Sequence, residues 1–276
     1  MPELPEAEIA GRQLDRWLSG RPVDRVLLVD TASVRKELST KPSMAAAGGR
    51  ALLEGLLGAP PEKPWRHGKR LAWPWGPRGM LVHLGMSGKF VERPASEEPP
   101  AFARIGWFQA DRVVWFVDQR RFACVVVVDR DALQAGLREG HGPDALDDPY
   151  DGPGLKRVLK GKRAIKVALM DQAKLAGIGN IQAAEALFRA KIDPRIACSA
   201  LTDAQWSALA GVIPVQLQYV IDAEDAGEIV YMTEGSRDNP FAVYKREGEE
   251  CAVCSTVIEA IDQAGRTTYF CPRCQG

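Results

Sequence analysis

Residues 251–274 read CAVCSTVIEAIDQAGRTTYFCPRC, and this stretch carries the strongest structural signal in the chain. Two Cys-x-x-Cys pairs, Cys251 with Cys254 and Cys271 with Cys274, are separated by sixteen residues. Each pair can clamp one side of a tetrahedral metal, and the span between them suits a β-hairpin; paired disulfides are the alternative. The spacing predicts a zinc ribbon with one structural Zn2+, because four thiolates leave no coordination position open for chemistry.

This ribbon also carries basic residues. Arg266 lies between the two cysteine pairs, and Lys245 and Arg246 come just before them. A rigid hairpin tipped with arginine is suited to gripping phosphate. The two remaining cysteines, Cys124 and Cys198, stand alone in the sequence, and we expect them to be buried thiols.

The composition of the whole chain is that of a folded protein. With 276 residues it can hold two or more domains. No apolar run approaches a membrane span and the acidic N-terminus is not a secretory signal, so we expect a cytoplasmic protein. The net charge is zero, which does not indicate a nucleic-acid binder, yet residues 156–166, KRVLKGKRAIK, hold six basic side chains. Such a run is either a solvated face or a set of phosphate contacts.

The hydrophobic pattern changes along the chain. Residues 3–18 have helical periodicity, and between 22 and 129 short apolar segments alternate with turn residues, which predicts an antiparallel β-sandwich. From residue 155 the pattern is helical, with a capping-box start at Thr202 and Gln205. We therefore predict an α+β multidomain fold with an N-terminal helix and β-sandwich over 1–135, a linker over 136–154, a helical domain over 155–240 and the four-Cys ribbon over 241–276.

The N-terminal residues 1–6, MPELPE, bring chemistry-bearing groups together. If the initiator Met is removed, Pro2 presents a secondary amine, and Glu3 and Glu6 follow within one helical turn. Such an amine can attack a carbonyl-like carbon and pass to an iminium ion. Its reference pKa, about 7.7–8.0 against about 10.4 for lysine, leaves more of it neutral at pH 7. The alternative is an ordinary helix start, with Pro2 and Pro5 in place and acids in the first turn.

Four separate pieces occur in order along the chain: PELPE at 2–6, HLGMSG at 83–88, LMDQ…GIGN at 169–180, and the terminal ribbon. Together they resemble the formamidopyrimidine-DNA glycosylase / endonuclease VIII family of base-excision repair enzymes, over nearly the whole chain. PELPE, where endonuclease VIII typically has PEGPE, favours the formamidopyrimidine branch. The resemblance implies that 155–240 is a helix–two-turn–helix DNA-binding domain. It also implies a protein of the bacterial cytosol that acts on damaged double-stranded DNA, with no membrane and no small-molecule cofactor. We expect a monomer, because the cleft must admit DNA.

The resemblance also implies catalytic roles. Pro2 would attack the anomeric carbon of a damaged nucleotide, expel the base and form an iminium with the opened sugar. Glu3 would protonate the ring oxygen, and Glu6 would support the terminus. Lys69, in HGKRL, would contact phosphate and assist elimination. Arg266 would grip the phosphate beside the lesion, so that β,δ-elimination leaves a one-nucleotide gap.

Chemistry on a base inside a duplex requires its nucleotide to be extruded, and side chains must fill the hole that it leaves. The resemblance implies that this hole is filled by Met86, Arg120 and Phe122. It also implies DNA contacts from four further residues, Arg104, Lys162, Lys166 and Asn180. Without the resemblance, core packing would be the favoured interpretation of Met86, and a surface pair that of Arg120 and Arg121. The sequence does not decide between Lys160 and Lys162 as the phosphate contact.

Several positions depart from the family pattern. Gln182 and Ala123 replace a tyrosine and a glycine, Lys245 replaces a glycine ahead of the ribbon, and Arg104 takes the place of a DNA-contacting histidine. The stretch Thr233–Phe241 is short where bacterial members have a longer loop that caps 8-oxoguanine. We therefore hypothesise that 8-oxoguanine is excised poorly relative to formamidopyrimidines, hydantoins or oxidised pyrimidines.

Two rival functions remain at this stage. The first is an endonuclease VIII-like glycosylase for oxidised pyrimidines or hydantoins. The second, from another class, is a non-catalytic zinc protein that binds damaged DNA. The rivals differ in whether the chain forms a covalent adduct with an abasic site and in which base it removes.

Overall fold

The computed structural model describes residues 2–224 and 239–276. Contacts between residues divide this part of the chain into two units. The first holds residues 2–139 with Glu224, and the second holds Gly140–Ala223 with 239–276. Within the described residues, no helix combines the length and the apolar character needed to cross a bilayer.

The first unit consists of one long helix and two four-stranded antiparallel sheets. Helix α1 spans Leu4–Leu18, and the short helices α2 and α3 span Gly49–Glu54 and Leu133–Arg138. One sheet has the order β1-β6-β7-β5 and the other β2-β3-β4-β8. The strands are β1 (Arg25–Leu28), β2 (Trp65–His67), β3 (Arg70–Trp75), β4 (Arg78–His83), β5 (Lys89–Pro94), β6 (Ala103–Gln109), β7 (Arg112–Val117) and β8 (Cys124–Asp129).

Aromatic side chains fill the space between the two sheets, which confirms the predicted antiparallel sandwich. The rings of Trp73 on β3 and Trp107 on β6 meet edge-on with centroids 5.5 Å apart, so they join one sheet to the other. Within one sheet, the cross-strand partners Phe90 and Phe116 stack at 4.9 Å. All four side chains are essentially fully buried, and burial of this kind is the main term that stabilises such a fold.

Helix α1 lies against β2, β3 and β5. Its apolar side is buried, and Gly11 makes the close approach possible, because a Cβ there would come within 3.3 Å of the Leu71 side chain. The N-terminal end of α1 is thereby fixed on the sandwich.

Two strands were not predicted from the sequence. Strand β2 has only three residues, and β5, with the sequence KFVERP, buries few side chains because it lies at the edge of its sheet. Neither offers the long alternating pattern on which strand prediction depends. The segment predicted as a linker is itself hydrogen-bonded: Asp144 accepts from the backbone N–H groups of Leu146 and Asp147, and Ala145 donates to Ala176.

The second unit holds four helices and a β-hairpin. The helices are α4 (Gly152–Leu159), α5 (Ile165–Leu169), α6 (Asn180–Arg189) and α7 (Asp203–Glu224), and the hairpin strands are β9 (Glu259–Asp262) and β10 (Thr267–Phe270). The predicted capping box is confirmed, since Thr202 and Gln205 exchange hydrogen bonds at the start of α7. Helix α5 is shorter than its periodicity suggests, because the Gln172 side chain bonds Met170, Gly177 and Ile178 in the turn that follows.

Helix α6 also anchors the cysteine-rich segment. Phe188 and Ala184 on α6 pack against Val243 and Ile258 in a cluster that includes buried cysteines. The buried carboxylate of Glu185 accepts hydrogen bonds from the backbone N–H groups of residues 242–244 at 2.9–3.0 Å. The ribbon is therefore fixed to the helix whose first residue is Asn180.

Candidate active site and nucleic-acid interface

The N-terminus of α1 gathers Pro2, Glu3 and Glu6. Glu3 is the N-cap residue, Pro5 lies in the first turn, and Glu3 and Glu6 form a reciprocal capping box. In it, the backbone N–H of Glu3 donates to Glu6 Oε2 at 2.8 Å. All three residues are buried, so the sequence places two carboxylates and the Pro2 nitrogen together in a dry setting.

The electrostatics of this pair favour a stored proton. Burial is the main cause that raises the pKa of Glu6 from 4.5 to about 7, and the neighbouring negative charge of Glu3 acts in the same direction. Near neutral pH the Glu6 carboxyl is thus able to hold or release a proton beside Glu3. Met1 lies outside the described residues, and Pro2 has a free amine only when Met1 is removed.

Lys69 lies on a two-residue turn between β2 and β3. The register pairs His67 with Arg70, and Gly68 has a φ of 57°, which the first central position of such a turn requires. Lys69 itself is half-buried.

An ion pair fixes this hairpin to α1. Nε of Arg66, on β2, lies 2.9 Å from Glu8 Oε2 on the second turn of the helix. The Arg66 side chain is only 4% exposed, so the pair is well shielded from solvent. Sequence reasoning missed both residues, because charged side chains on a helix and on a short strand are common without any such pairing.

The proposed void-filling residues lie on two turns that touch each other. Met86 lies between β4 and β5, and Arg120 and Phe122 lie between β7 and β8. Gly85 has a φ of 63°, and a Cβ there would lie 2.5 Å from the backbone N of Ala123. A Cβ on Gly88 would lie 2.6 Å from the Ala123 Cβ, so only glycines permit the contact.

The exposure of these side chains fits the role that the resemblance implies. Met86 and Phe122 are half-buried and Arg120 is exposed, and the Arg120 guanidinium carbon lies 5.2 Å from the centre of the Phe122 ring. The structure therefore brings the three predicted residues together. Residues that sequence reasoning missed hold them there, namely Arg35, Ser87 and Asp118.

Arg104 is committed to contacts within the first unit. Its Nε and Nη2 donate to the Asp118 carbonyl at 2.9 and 2.7 Å, and its Nη1 lies 3.5 Å from Asp30 Oδ2. Arg121 also pairs with Asp30, at 2.9 Å. The structure thus gives Arg104 a supporting place beside the β7–β8 loop, and contact with DNA remains a prediction.

In the second unit, Asn180 and Arg266 are brought close in the fold. Asn180 is the first residue of α6, and its Nδ2 donates to the carbonyl of Thr267 at 3.0 Å. Thr267 follows Arg266, which is exposed at the hairpin tip. The positive end of a helix dipole attracts anions, so this corner offers both a helix N-terminus and a cation.

The two lysines near α5 differ in their accessibility. Lys162 is exposed in the segment before the helix. Lys166 on α5 has no exposed surface. The fold thus encloses Lys166 and leaves Lys162 accessible, and contact of Lys166 with phosphate remains a prediction.

The four ribbon cysteines form a site that fits zinc. Their sulfurs all lie within 4.8 Å of one another, with 3.4 Å between Cys254 and Cys271 and 3.9 Å between Cys251 and Cys274. All four are free thiols, so the disulfide alternative is not adopted. A tetrahedron with Zn–S bonds of about 2.3 Å has sulfurs roughly 3.8 Å apart, which matches this arrangement. The donor set is that of one structural zinc.

Comparison with known families covers most of the chain. The formamidopyrimidine-DNA glycosylase N-terminal domain matches residues 1–125, and the H2TH domain of the same enzymes matches 141–230. A zinc finger found in FPG and IleRS matches 248–276. The chain belongs to the formamidopyrimidine-DNA glycosylase family. Its ribbon is thus the family zinc finger, and its antiparallel sheets and helical domain are the family's fold.

Relatives of this family align along their whole length. The formamidopyrimidine-DNA glycosylase of Bordetella pertussis is 34% identical, over 100% of this chain and 99% of the relative. That of Chloroflexus aurantiacus is 36% identical, over 100% and 98%. Among solved structures, Lactococcus lactis Fpg bound to DNA with an abasic site has a TM-score of 0.85 and 27% identity, and covers 99% of each chain. MutM bound to DNA containing carbocyclic 8-oxo-G has the same TM-score at 28% identity, and also covers 99% of each chain.

Proposed function

We propose that the protein is a bifunctional DNA glycosylase that excises oxidised bases from duplex DNA and then cleaves the strand as an AP lyase. One observation carries the proposal: Pro2 is buried and directly precedes the Glu3–Glu6 capping box in a chain of the formamidopyrimidine-DNA glycosylase family. The endonuclease VIII-like rival has less support, since the relatives described above carry the formamidopyrimidine name.

The proposed reaction uses the chain's own groups. The Pro2 amine, free after Met1 is removed, attacks C1′ of the damaged nucleotide, and the C1′–N bond breaks as the base leaves with its electron pair. Glu3 protonates the ring oxygen, so the sugar opens to an iminium ion on the Pro2 nitrogen. Loss of a C2′ proton then expels the 3′-phosphate, and a second elimination expels the 5′-phosphate. Glu6, with its pKa near 7, is a proton store next to Glu3.

DNA contacts are proposed for both units. In the first, Met86, Arg120 and Phe122 would enter the space left by the extruded nucleotide, and Lys69 would hold its phosphate. In the second, Asn180 and Arg266 would share one phosphate at the start of α6, and Lys162 would contact another. These assignments follow from accessibility and from contact between the elements that carry the residues.

We further propose that the protein acts as a monomer in the cytosol and needs no small-molecule cofactor, since every group that the reaction requires comes from the chain. We also propose a division into four parts, which the family matches support. These are a catalytic sandwich over 1–135, a connecting segment over 136–154, a DNA-binding helical domain over 155–240 and a zinc ribbon over 241–276.

Borohydride trapping tests the function directly. The purified enzyme, incubated with a duplex carrying an abasic site, should give a covalent adduct that migrates as a protein–DNA complex. Pro2→Gly should lose most of the adduct, because the remaining primary amine lacks the proline geometry. A non-catalytic damage-binding protein would give no adduct, and a strong adduct from a chain that mass analysis shows to retain Met1 would contradict the Pro2 assignment.

The lesion hypothesis concerns Thr233–Phe241, of which residues 233–238 lie outside the described part of the chain. We propose that formamidopyrimidines, hydantoins or oxidised pyrimidines are removed faster than 8-oxoguanine. Single-turnover excision from otherwise identical duplexes tests this, and equal rates for 8-oxoguanine and hydantoin would contradict it.

A further inference from the structure

The loop between β7 and β8 needs support to hold its shape. It is only a few residues long, its residues 119–121 are exposed, and Arg121 has a φ of 59°. That left-handed conformation is unfavourable for a residue with a side chain. Because the same loop presents Arg120 and Phe122, whatever holds it also determines where these two side chains point.

On one side, the buried carboxylate of Asp118 ties the loop to the neighbouring turn. Its Oδ1 accepts from the Ser87 hydroxyl and, at 3.1 Å, from the backbone N–H of Arg120. Its Oδ2 accepts from the backbone N–H of Ala123 at 2.7 Å. Asp118 is 1% exposed and Ser87 follows Met86, so one carboxylate joins the two turns that carry Met86 and Arg120.

On the other side, the buried guanidinium of Arg35 holds the loop carbonyls. It donates to Arg121 O at 2.9 Å and to Phe122 O at 3.3 Å. It also donates to the carbonyls of Ala32 and Ser39, and the residue is 2% exposed. A guanidinium is costly to bury, and its fork of donors suits several fixed acceptors at once.

We propose that Asp118 and Arg35 are positioning residues that hold the void-filling wedge in place before DNA binds. The wedge consists of Met86, Arg120 and Phe122. The inference rests on the proposed function, because it assigns the wedge to the extrusion step. With the turns already fixed, the enzyme does not have to order them while it unstacks a base. Asp118 acts on Met86 and Arg120 through Ser87 and the backbone, and Arg35 acts on Phe122 through its carbonyl.

A lesion duplex and a single-stranded abasic oligonucleotide together distinguish loss of wedge positioning from loss of protein stability. Excision from a duplex requires the wedge, whereas borohydride trapping on a single-stranded abasic oligonucleotide has no opposite base and no stack to fill. Asp118→Asn replaces one of the two acceptor oxygens with an NH2 group, so either Ala123 or Arg120 loses the acceptor of its backbone N–H. We expect single-turnover excision from the duplex to fall about 100-fold, as a small misplacement at a reaction centre can cause. Trapping on the single strand should stay within about threefold, since its chemistry is untouched.

A second readout follows the wedge itself. With 2-aminopurine opposite the lesion, wild-type enzyme should change the probe's fluorescence as side chains enter the void, and Asp118→Asn should give a smaller and slower change. Arg35→Lys, which keeps the charge but loses the fork, should show the same pattern more weakly. Ser87→Ala should also give a smaller and slower fluorescence change, and Ser87→Thr, which keeps the hydroxyl, should give the wild-type change.

Controls make the outcome decisive. Glu92→Gln breaks an ion pair with Arg112 elsewhere on the same sheet and should change neither activity. Val91→Ala, a core change on β5, supplies a variant with a lowered melting temperature and an intact loop network. If Asp118→Asn lowers duplex excision no more than Val91→Ala at the same melting temperature, or lowers both activities equally, the positioning role is wrong. If the wild-type enzyme traps no DNA at all, the proposed function fails instead.

Discussion

Two short loops of this protein each present an arginine to solvent, and they are held in different ways. The loop at 263–266 carries Arg266 on a hairpin whose base is closed by four cysteines. The loop between β7 and β8 carries Arg120 and is held by a buried carboxylate and a buried guanidinium. The first support is a set of ligands to one metal ion, and the second is a network of hydrogen bonds to the backbone.

The difference has consequences for stability and for sequence interpretation. Metal ligands must occur in a set with fixed spacing, so their support is concentrated and visible in the sequence. A backbone network can recruit any polar residue that the fold brings near, so Arg35 and Asp118 stand 83 positions apart without a motif. We expect the ribbon to fail as a whole when one ligand is lost, and the other loop to fail in graded steps.

Loss of one zinc ligand should have the largest effect. Cys271→Ser removes a thiolate from a site whose apparent binding free energy is typically about 10–16 kcal/mol, so the ribbon should unfold locally. We expect zinc content to drop below one ion per chain and lesion-duplex binding to be lost in a gel-shift titration. Cys198→Ala, a buried cysteine outside the cluster, should retain both. Normal duplex affinity in the Cys271 variant would contradict the expectation that the ribbon fails as a whole when one zinc ligand is lost.

The buried carboxylate at α1 should make the stability of the first unit depend on pH. Because the folded pKa of Glu6 is raised from 4.5 to about 7, the folded state holds a proton that the unfolded state has lost between these values. Its contribution is fully present below pH 4.5 and is lost as pH rises to 7. The pKa difference sets an upper limit of about 3 kcal/mol on that change.

Glu6→Gln tests this, because glutamine keeps an acceptor for the Glu3 N–H but cannot ionise. The variant's melting temperature relative to wild type should rise between pH 4.5 and 7 and then level off. Parallel curves for the two proteins across this range would show that Glu6 titrates normally.

Removing each loop's arginine should separate phosphate binding from void filling. Arg266→Ala should lower the slope of log Kd against log salt by about 1, the value expected for one lost phosphate contact. Arg120→Ala should leave that slope unchanged and slow excision, with an effect of about 1–3 kcal/mol on specificity for the opposite base. Equal salt slopes for both variants would mean that the two arginines contact the DNA in the same way.

The smallest effect is expected at the bond between α6 and the hairpin. Asn180→Ala removes a hydrogen bond to Thr267, worth about 1 kcal/mol, and so should weaken duplex binding about fivefold. If Asn180 and Arg266 serve one phosphate, the double variant should lose less affinity than the sum of the single variants. Additive losses would place the two side chains on separate phosphates.

The sequence was sufficient where a pattern repeats or a ligand set is complete. The zinc ligands, the antiparallel sandwich, the α1 helix and the Thr202 capping box were predicted and are confirmed. It was insufficient where short or edge elements carry weak patterns, as for β2 and β5. It also could not show that Lys166 is buried, since a basic run does not reveal which of its lysines the fold encloses. The supports of the β7–β8 loop depend on contacts across the sandwich, which no local pattern encodes.

The glycine contacts at the turn after β4 set limits for anyone who wishes to re-engineer what enters the base stack. Gly85 and Gly88 cannot accept a side chain without colliding with residues 122 and 123 or with the turn's own backbone, and Ser87 is committed to Asp118. Of the four consecutive positions, Met86 is therefore the one where the chemistry of the inserted side chain can be varied freely. A saturation library at this position would change the inserted side chain and leave intact the turns that hold it.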